Sequence, residues 1–241
     1  MSTLIVVEES PQILIESAAS QIVKLSRDAI ASRDSFSIAL AGGSTPRALY
    51  ELLASEPYAS NIDWQKTHVF FGDERAVAPE DELANYKMAQ DSLLSKIAIP
   101  AENIHRMEAE REGLESAARD YEEVLKTHWP LDLMLLGMGD DGHTASLFPH
   151  SPVLNESTLL CAATPVATLK PYLRRLTLTF PAINATRNIW IIVTGESKAA
   201  RLQTVFEGAR DIGSTPVAGV EPQNGELIWM LDEAAAALLD K

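Results

Sequence analysis

The residues best suited to chemistry lie in three short glycine-bearing loops. The richest is Gly137-Met138-Gly139-Asp140-Asp141-Gly142-His143. A neutral imidazole titrates near neutrality and can take a proton from water, and a nearby carboxylate can hold its tautomer and stabilise the cation that forms. His143 with Asp141 is therefore a candidate base and its support. The loop satisfies the G-x-G-x-x-G pattern of dinucleotide sites. However, Asp140 and Asp141 would crowd a pyrophosphate, and Pro149 and Pro152 leave little room for the long helix such a site requires.

A second loop, Ala41-Gly42-Gly43-Ser44-Thr45-Pro46-Arg47, joins an apolar run to a helical pattern. Its glycines allow a sharp turn, Thr45 suits the N-cap and Pro46 the first helical position. A helix start there would offer free N–H groups to a phosphate, or the segment is a capped strand–helix turn with no ligand. The Gly-Lys-Ser/Thr ending of a Walker loop is absent. The third loop, Gly72-Asp73-Glu74-Arg75, reads as a charged turn: either a solvated one, or one at the ligand edge in which Arg75 faces an anionic substrate and Asp73 holds sugar hydroxyls or fixes Arg75.

Two later features could complete an anion site. Lys198 lies just inside a helix after Thr194-Gly195. Of the adjacent Arg174 and Arg175, alternation turns only one toward a given face, and Arg174 is the preferred choice. The other histidines (His68, His105, His128 and His150) show no H-E-x-x-H or Cys/His spacing for zinc, and there is no G-x-S-x-G elbow. Ester hydrolysis on this chain would proceed by direct attack of water, without metal.

These loops must be positioned by the elements between them. Strands are expected at Leu4–Val7, Ser37–Ala41, Thr67–Phe71, Leu131–Leu136, Leu159–Ala163, Arg175–Thr179, Asn188–Thr194 and Leu227–Leu231. Helical patterns cover Ser10–Ala31, Pro46–Ala54, Tyr86–Ile97, Leu114–Lys126 and Glu196–Glu207, with a short Ala-rich helix at the end. The alternation implies an α/β fold: one Rossmann-like, open, mostly parallel sheet with helices on both faces, as a single domain over residues 1–241. Ligands bind beyond the carboxyl ends of such strands, where the three loops fall.

Composition narrows the function classes. The 241 residues are 46% hydrophobic and 22% charged, which excludes a disordered or fibrous chain. A net charge of −14 argues against nucleic-acid binding, so any phosphate site must be built locally. One cysteine, Cys161, permits no intrachain disulfide. There is no signal-peptide pattern and no apolar run of ~18 residues. A cytoplasmic protein, with monomer the favoured state, is expected.

The three loops together with Asn85-Tyr86, Thr144-Ala145-Ser146-Leu147-Phe148-Pro149, Arg175-Leu176-Thr177-Leu178-Thr179 and Gly195-Glu196-Ser197-Lys198 resemble the 6-phosphogluconolactonase family. The resemblance implies the fold shared with glucosamine-6-phosphate deaminase and ribose-5-phosphate isomerase, no cofactor, a phosphorylated sugar lactone as substrate and a role in the oxidative pentose phosphate pathway. It implies His143 as general base supported by Asp141, with the phosphate on Gly43-Ser44-Thr45 helped by Arg75, Arg174 or Lys198. The deaminase is the nearest rival, but it carries a carboxylate where this chain has Phe148. A sugar-phosphate sensor would keep the phosphate turn without needing His143 beside Asp141. One departure is His150, where the family often has glycine.

Overall fold

The computed structural model describes residues 3–240. Its elements run β1 (Thr3–Glu8), α1 (Pro11–Arg33), β2 (Phe36–Leu40), α2 (Ser44–Leu53), α3 (Tyr58–Asn61), β3 (Thr67–Phe71), β4 (Asp73–Arg75), α4 (Asn85–Ala89), α5 (Leu114–Lys126) and β5 (Leu133–Leu136). They continue with β6 (Cys161–Ala163), β7 (Arg175–Leu178), α6 (Phe180–Ala185), β8 (Asn188–Val193), α7 (Ala199–Glu207) and β9 (Glu226–Asp232).

Six strands form one parallel sheet in the order β1-β9-β8-β5-β2-β3. Every residue of β2 and β5 is buried, as expected where both faces of a parallel sheet are covered. From β2 the chain moves outward to β3 and then returns to β5 on the other side. That reversal opens a crevice beyond the carboxyl ends of β2 and β5. Among the described residues, no helix is long and apolar enough to cross a membrane.

Two buried tyrosines secure the strand ends beside this crevice. The Tyr50 hydroxyl accepts from Ala41 N–H at 2.8 Å and donates to Ala41 C=O at 2.9 Å. Tyr121, on α5, does the same for Phe71, at 2.9 and 3.1 Å. Each pairs both backbone groups of a residue at which the chain leaves the parallel sheet, a place where unpaired polar groups would be costly.

The charged turn expected at 72–75 is a strand. β4 leaves the parallel sheet immediately after Gly72 and pairs antiparallel with β7, which pairs with β6. Gly72 belongs to both ladders: its N–H donates to Leu40 C=O at 2.9 Å, and its C=O accepts from Leu178 N–H at 2.8 Å. Three charged residues in a row suggested solvent, yet Asp73 and Glu74 are buried because their side chains have internal partners.

Other boundaries also differ from expectation. α2 begins at Ser44 with Gly43 as its N-cap, so Thr45 lies inside the first turn and hydrogen-bonds Thr194 through its hydroxyl at 2.9 Å. The helix expected over 86–97 is α4 followed by a π turn at Gln90–Leu94. The Ala-rich terminal segment, expected as a short helix, makes turns instead, with Ala235 N–H donating to Asp232 Oδ1 at 2.8 Å. His150 adopts φ +59, the left-handed conformation for which glycine is suited.

Replacing Tyr121 by Phe removes the hydroxyl that accepts Phe71 N–H and donates to Phe71 C=O. Urea denaturation should show a loss of about 1–3 kcal/mol. An unchanged midpoint would mean that water replaces the hydroxyl.

Candidate active site

The cleft is walled by the segments that follow three parallel strands: Ala41–Gly43 after β2, Gly72–Arg75 after β3 and Gly137–His143 after β5, with Ala145 and Arg175 closing it. The sheet thus brings together the loops singled out from the sequence.

The His143 ring forms part of this wall, and its Nδ1 lies 2.6 Å from Asp141 Oδ1. The same oxygen accepts the His143 backbone N–H at 3.1 Å. Burial acts to raise the Asp141 pKa, but the bonds from the His143 ring and backbone outweigh it, so the carboxylate titrates below its usual range. An ionised carboxylate can only accept, so in the neutral ring Nδ1 carries the proton and Nε2 the lone pair. The ring leans on Phe148, with centroids 4.6 Å apart.

The loop needs glycine for close packing. A Cβ on Gly139 would fall 2.1 Å from His143 Nδ1 and 2.8 Å from Asp141 Oδ1. Across the cleft, a Cβ on Gly42 would fall 2.1 Å from Asn85 Oδ1.

Asp73 lines the cleft, and both it and the neighbouring Glu74 are buried. Asp73 accepts from Asn85 Nδ2 at 2.9 Å and from the Ser146 hydroxyl, and lies 3.8 Å from Arg175 Nη1. It fixes Arg175, not Arg75. Glu74 accepts the backbone N–H groups of Arg75, Asn85 and Tyr86, and so caps α4 from a distant strand. Burial dominates its titration: against those three hydrogen bonds, it pushes the carboxyl up to about 7, with Asp73 adding repulsion.

The two cleft arginines have unmet hydrogen-bonding capacity. Arg75 Nη1 donates to Leu83 C=O at 2.5 Å, while Arg175 is sandwiched between Asp73 and the Phe148 ring, its guanidinium carbon 5.1 Å from the ring centroid. The Nε atoms of both are buried without a hydrogen-bond partner among the described residues. Buried donors of this kind are rare unless a ligand or water completes them.

Four expected residues stand apart from this wall. Arg174 points away, to Glu115 and to Thr164 C=O, and its neighbour Arg175 faces the cleft. The alternation argument was sound but the parity was wrong, because β7 is paired on both sides and its cleft face could not be told from sequence. Lys198 pairs with Asp140 Oδ1 at 2.5 Å, on the Gly137–His143 loop. Ser44 and Thr45 follow Gly43 on the first turn of α2, where N–H groups lack intrahelical acceptors.

Sequence comparison identifies the group. Residues 9–229 match the family model for glucosamine-6-phosphate isomerases/6-phosphogluconolactonase. The chain belongs to this family. A Synechocystis protein named 6-phosphogluconolactonase is 42% identical over 232 residues, covering 93% of each chain. One from Mycobacterium tuberculosis is 38% identical and covers 99% of each. The crystal structure of a Thermotoga maritima 6-phosphogluconolactonase superposes with a TM-score of 0.85 at 27% identity, covering 96% of this chain and all of that one. Within the family framework, Arg175, Ser146 and Asn85 join the residues first singled out. All three stood in the quoted motifs, but only packing shows Ser146 and Asn85 clamping Asp73.

Two outcomes test this geometry. Replacing Gly139 by Ala should displace the His143 ring and lower activity by roughly 10²–10⁴, the range for losing a general base. Circular dichroism should show the fold retained, and full activity would mean the loop relaxes freely. For Glu74, a folded pKa above the unfolded value contributes stability that is complete below the unfolded pKa and is lost as pH rises through about 7. Wild type should therefore lose on the order of 3 kcal/mol relative to Glu74→Gln between pH ~4 and ~8. Parallel urea-derived stability curves for the two proteins would contradict this.

Proposed function

We propose that this chain hydrolyses 6-phospho-D-glucono-1,5-lactone to 6-phosphogluconate in the oxidative pentose phosphate pathway, with His143 as the general base and water as the nucleophile. The observation that carries the mechanism is the His143–Asp141 pair, which in the neutral ring places the proton on Nδ1 and the lone pair on Nε2, in a cleft wall that also holds Arg75 and Arg175.

The substrate phosphate is held by cationic and N–H donors at the cleft mouth. Arg75, with its partnerless buried Nε, and the first turn of α2 at Gly43, Ser44 and Thr45 supply them, and Lys198 adds charge once it yields Asp140. Anchored there, the lactone presents C1 to a water beside His143. Nε2 takes a proton as the water oxygen bonds to C1, and Asp141 stabilises the imidazolium. Arg175 is the cation available to the charge that builds on the carbonyl oxygen. Collapse of the tetrahedral intermediate breaks the bond from C1 to the ring oxygen. The imidazolium returns its proton to that oxygen, so one water is consumed and the ring opens.

Phe148 supports hydrolysis over isomerisation. It fills the place of the deaminase carboxylate with an apolar ring packed between His143 and Arg175. A cytoplasmic monomer acting on a free sugar phosphate is part of this reading, supported by a single cysteine that is buried and unpaired.

The test follows lactone decay after glucose 6-phosphate is oxidised in the cuvette, corrected for spontaneous hydrolysis, beside ammonia release from glucosamine 6-phosphate. Wild type should accelerate decay without releasing ammonia. His143→Ala should lower the maximal rate by roughly 10²–10⁴. Near-full activity in that variant would remove His143 from the role, and ammonia release would favour the isomerase.

A further inference from the structure

Away from the cleft, three histidines widely separated in sequence meet on one face of the molecule. His68 lies on β3, His105 follows a short bridge that runs along the outer edge of β3, and His128 follows the end of α5. One ring nitrogen from each lies within 4.8 Å of the others. His68 stands four residues before Gly72, about 13 Å along the strand, so this cluster is separate from the cleft.

The arrangement has the dimensions of a metal site. His68 Nδ1 and His105 Nε2 are 3.2 Å apart. Two imidazole nitrogens on one tetrahedral zinc ion, each at about 2.0–2.1 Å, stand ~3.3 Å apart. The third ring is oriented by its own partner. His128 Nδ1 lies 2.7 Å from Thr127 Oγ1, and that hydroxyl donates to Val124 C=O at 2.7 Å. The hydroxyl oxygen therefore accepts from Nδ1–H, which leaves the His128 Nε2 lone pair for a ligand; second-shell bonds fix metal-binding histidines in this way.

The surroundings suit a cation held by neutral rings. Phe70 stacks on His105 with centroids 4.5 Å apart and meets His128 edge-on, giving the cluster an apolar floor. The carboxyl-terminal end of α5, the negative end of its dipole, lies immediately before His128. All three side chains are half-buried, and His105 also lines an open cavity beside α5 that gives solvent a path in.

We infer that His68, His105 and His128 form a binding site for one divalent transition-metal ion of the zinc class, with a fourth position open to water. Three imidazoles select zinc, cobalt, nickel or copper over magnesium and calcium, which prefer oxygen ligands. Bound there, the ion would clip the edge strand β3, the 104–105 bridge and the end of α5 to one another, a structural role independent of lactone hydrolysis.

The test uses untagged full-length protein stripped with EDTA, titrated with Co²⁺ as a spectroscopic stand-in and with Zn²⁺ by calorimetry. Wild type should take up about one equivalent, show the visible bands of four-coordinate cobalt, and gain thermal stability with Zn²⁺. His128→Gln should weaken uptake at least about tenfold while keeping the wild-type lactonase rate, which also shows that it folds; His105→Gln serves as the second variant. His143→Ala should bind metal as wild type does. No uptake by wild type would leave His68 and His105 as a plain hydrogen-bonded pair and overturn the inference. So would unchanged affinity in both cluster variants, or loss of binding in His143→Ala.

Discussion

Two carboxylates buried side by side, Asp73 and Glu74, are the constraint on which the rest of the structure depends. Taking charge out of water is expensive unless every lone pair finds a donor. Here the donors come from elements distant in sequence: Asn85 and Tyr86 from α4, Ser146 from the loop beyond His143, and Arg175 from β7. Satisfying this pair draws the antiparallel ribbon, α4 and the catalytic loop onto the end of β3. The floor of the cleft results from that requirement.

The walls follow a different logic, that of close approach. Gly139 leaves the space that the His143 ring occupies, and Gly42 leaves the space for Asn85. Phe148 then serves two neighbours, supporting His143 on one side and Arg175 on the other. His143, Asp141 and Arg175 are thus each held by contacts within the fold, without any substrate present.

Much of this was legible in the sequence because parallel strands and amphipathic helices carry periodic signals, and because glycine-rich loops fall at strand ends. The strands Thr67–Phe71 and Asn188–Val193 and the helix Leu114–Lys126 emerge at or within a residue of their expected bounds. The parts that were not legible depend on partners rather than on pattern. Asp73-Glu74-Arg75 looks like a solvated turn until Asn85, Ser146 and Arg175 are seen around it. The parity of Arg174 and Arg175 is set by how β7 lies between β4 and β6. The three clustered histidines have no local spacing at all, since only the fold of β3 against α5 brings them together.

Gly72 is a member of two hydrogen-bond ladders at once, one parallel and one antiparallel. Any motion that opened the cleft like a jaw at this point would have to break both. The floor therefore behaves as a fixed die, and discrimination among sugar phosphates must come from how well they match a shape already set. The entropy of arranging that shape is spent during folding, once per molecule, and not again at each turnover.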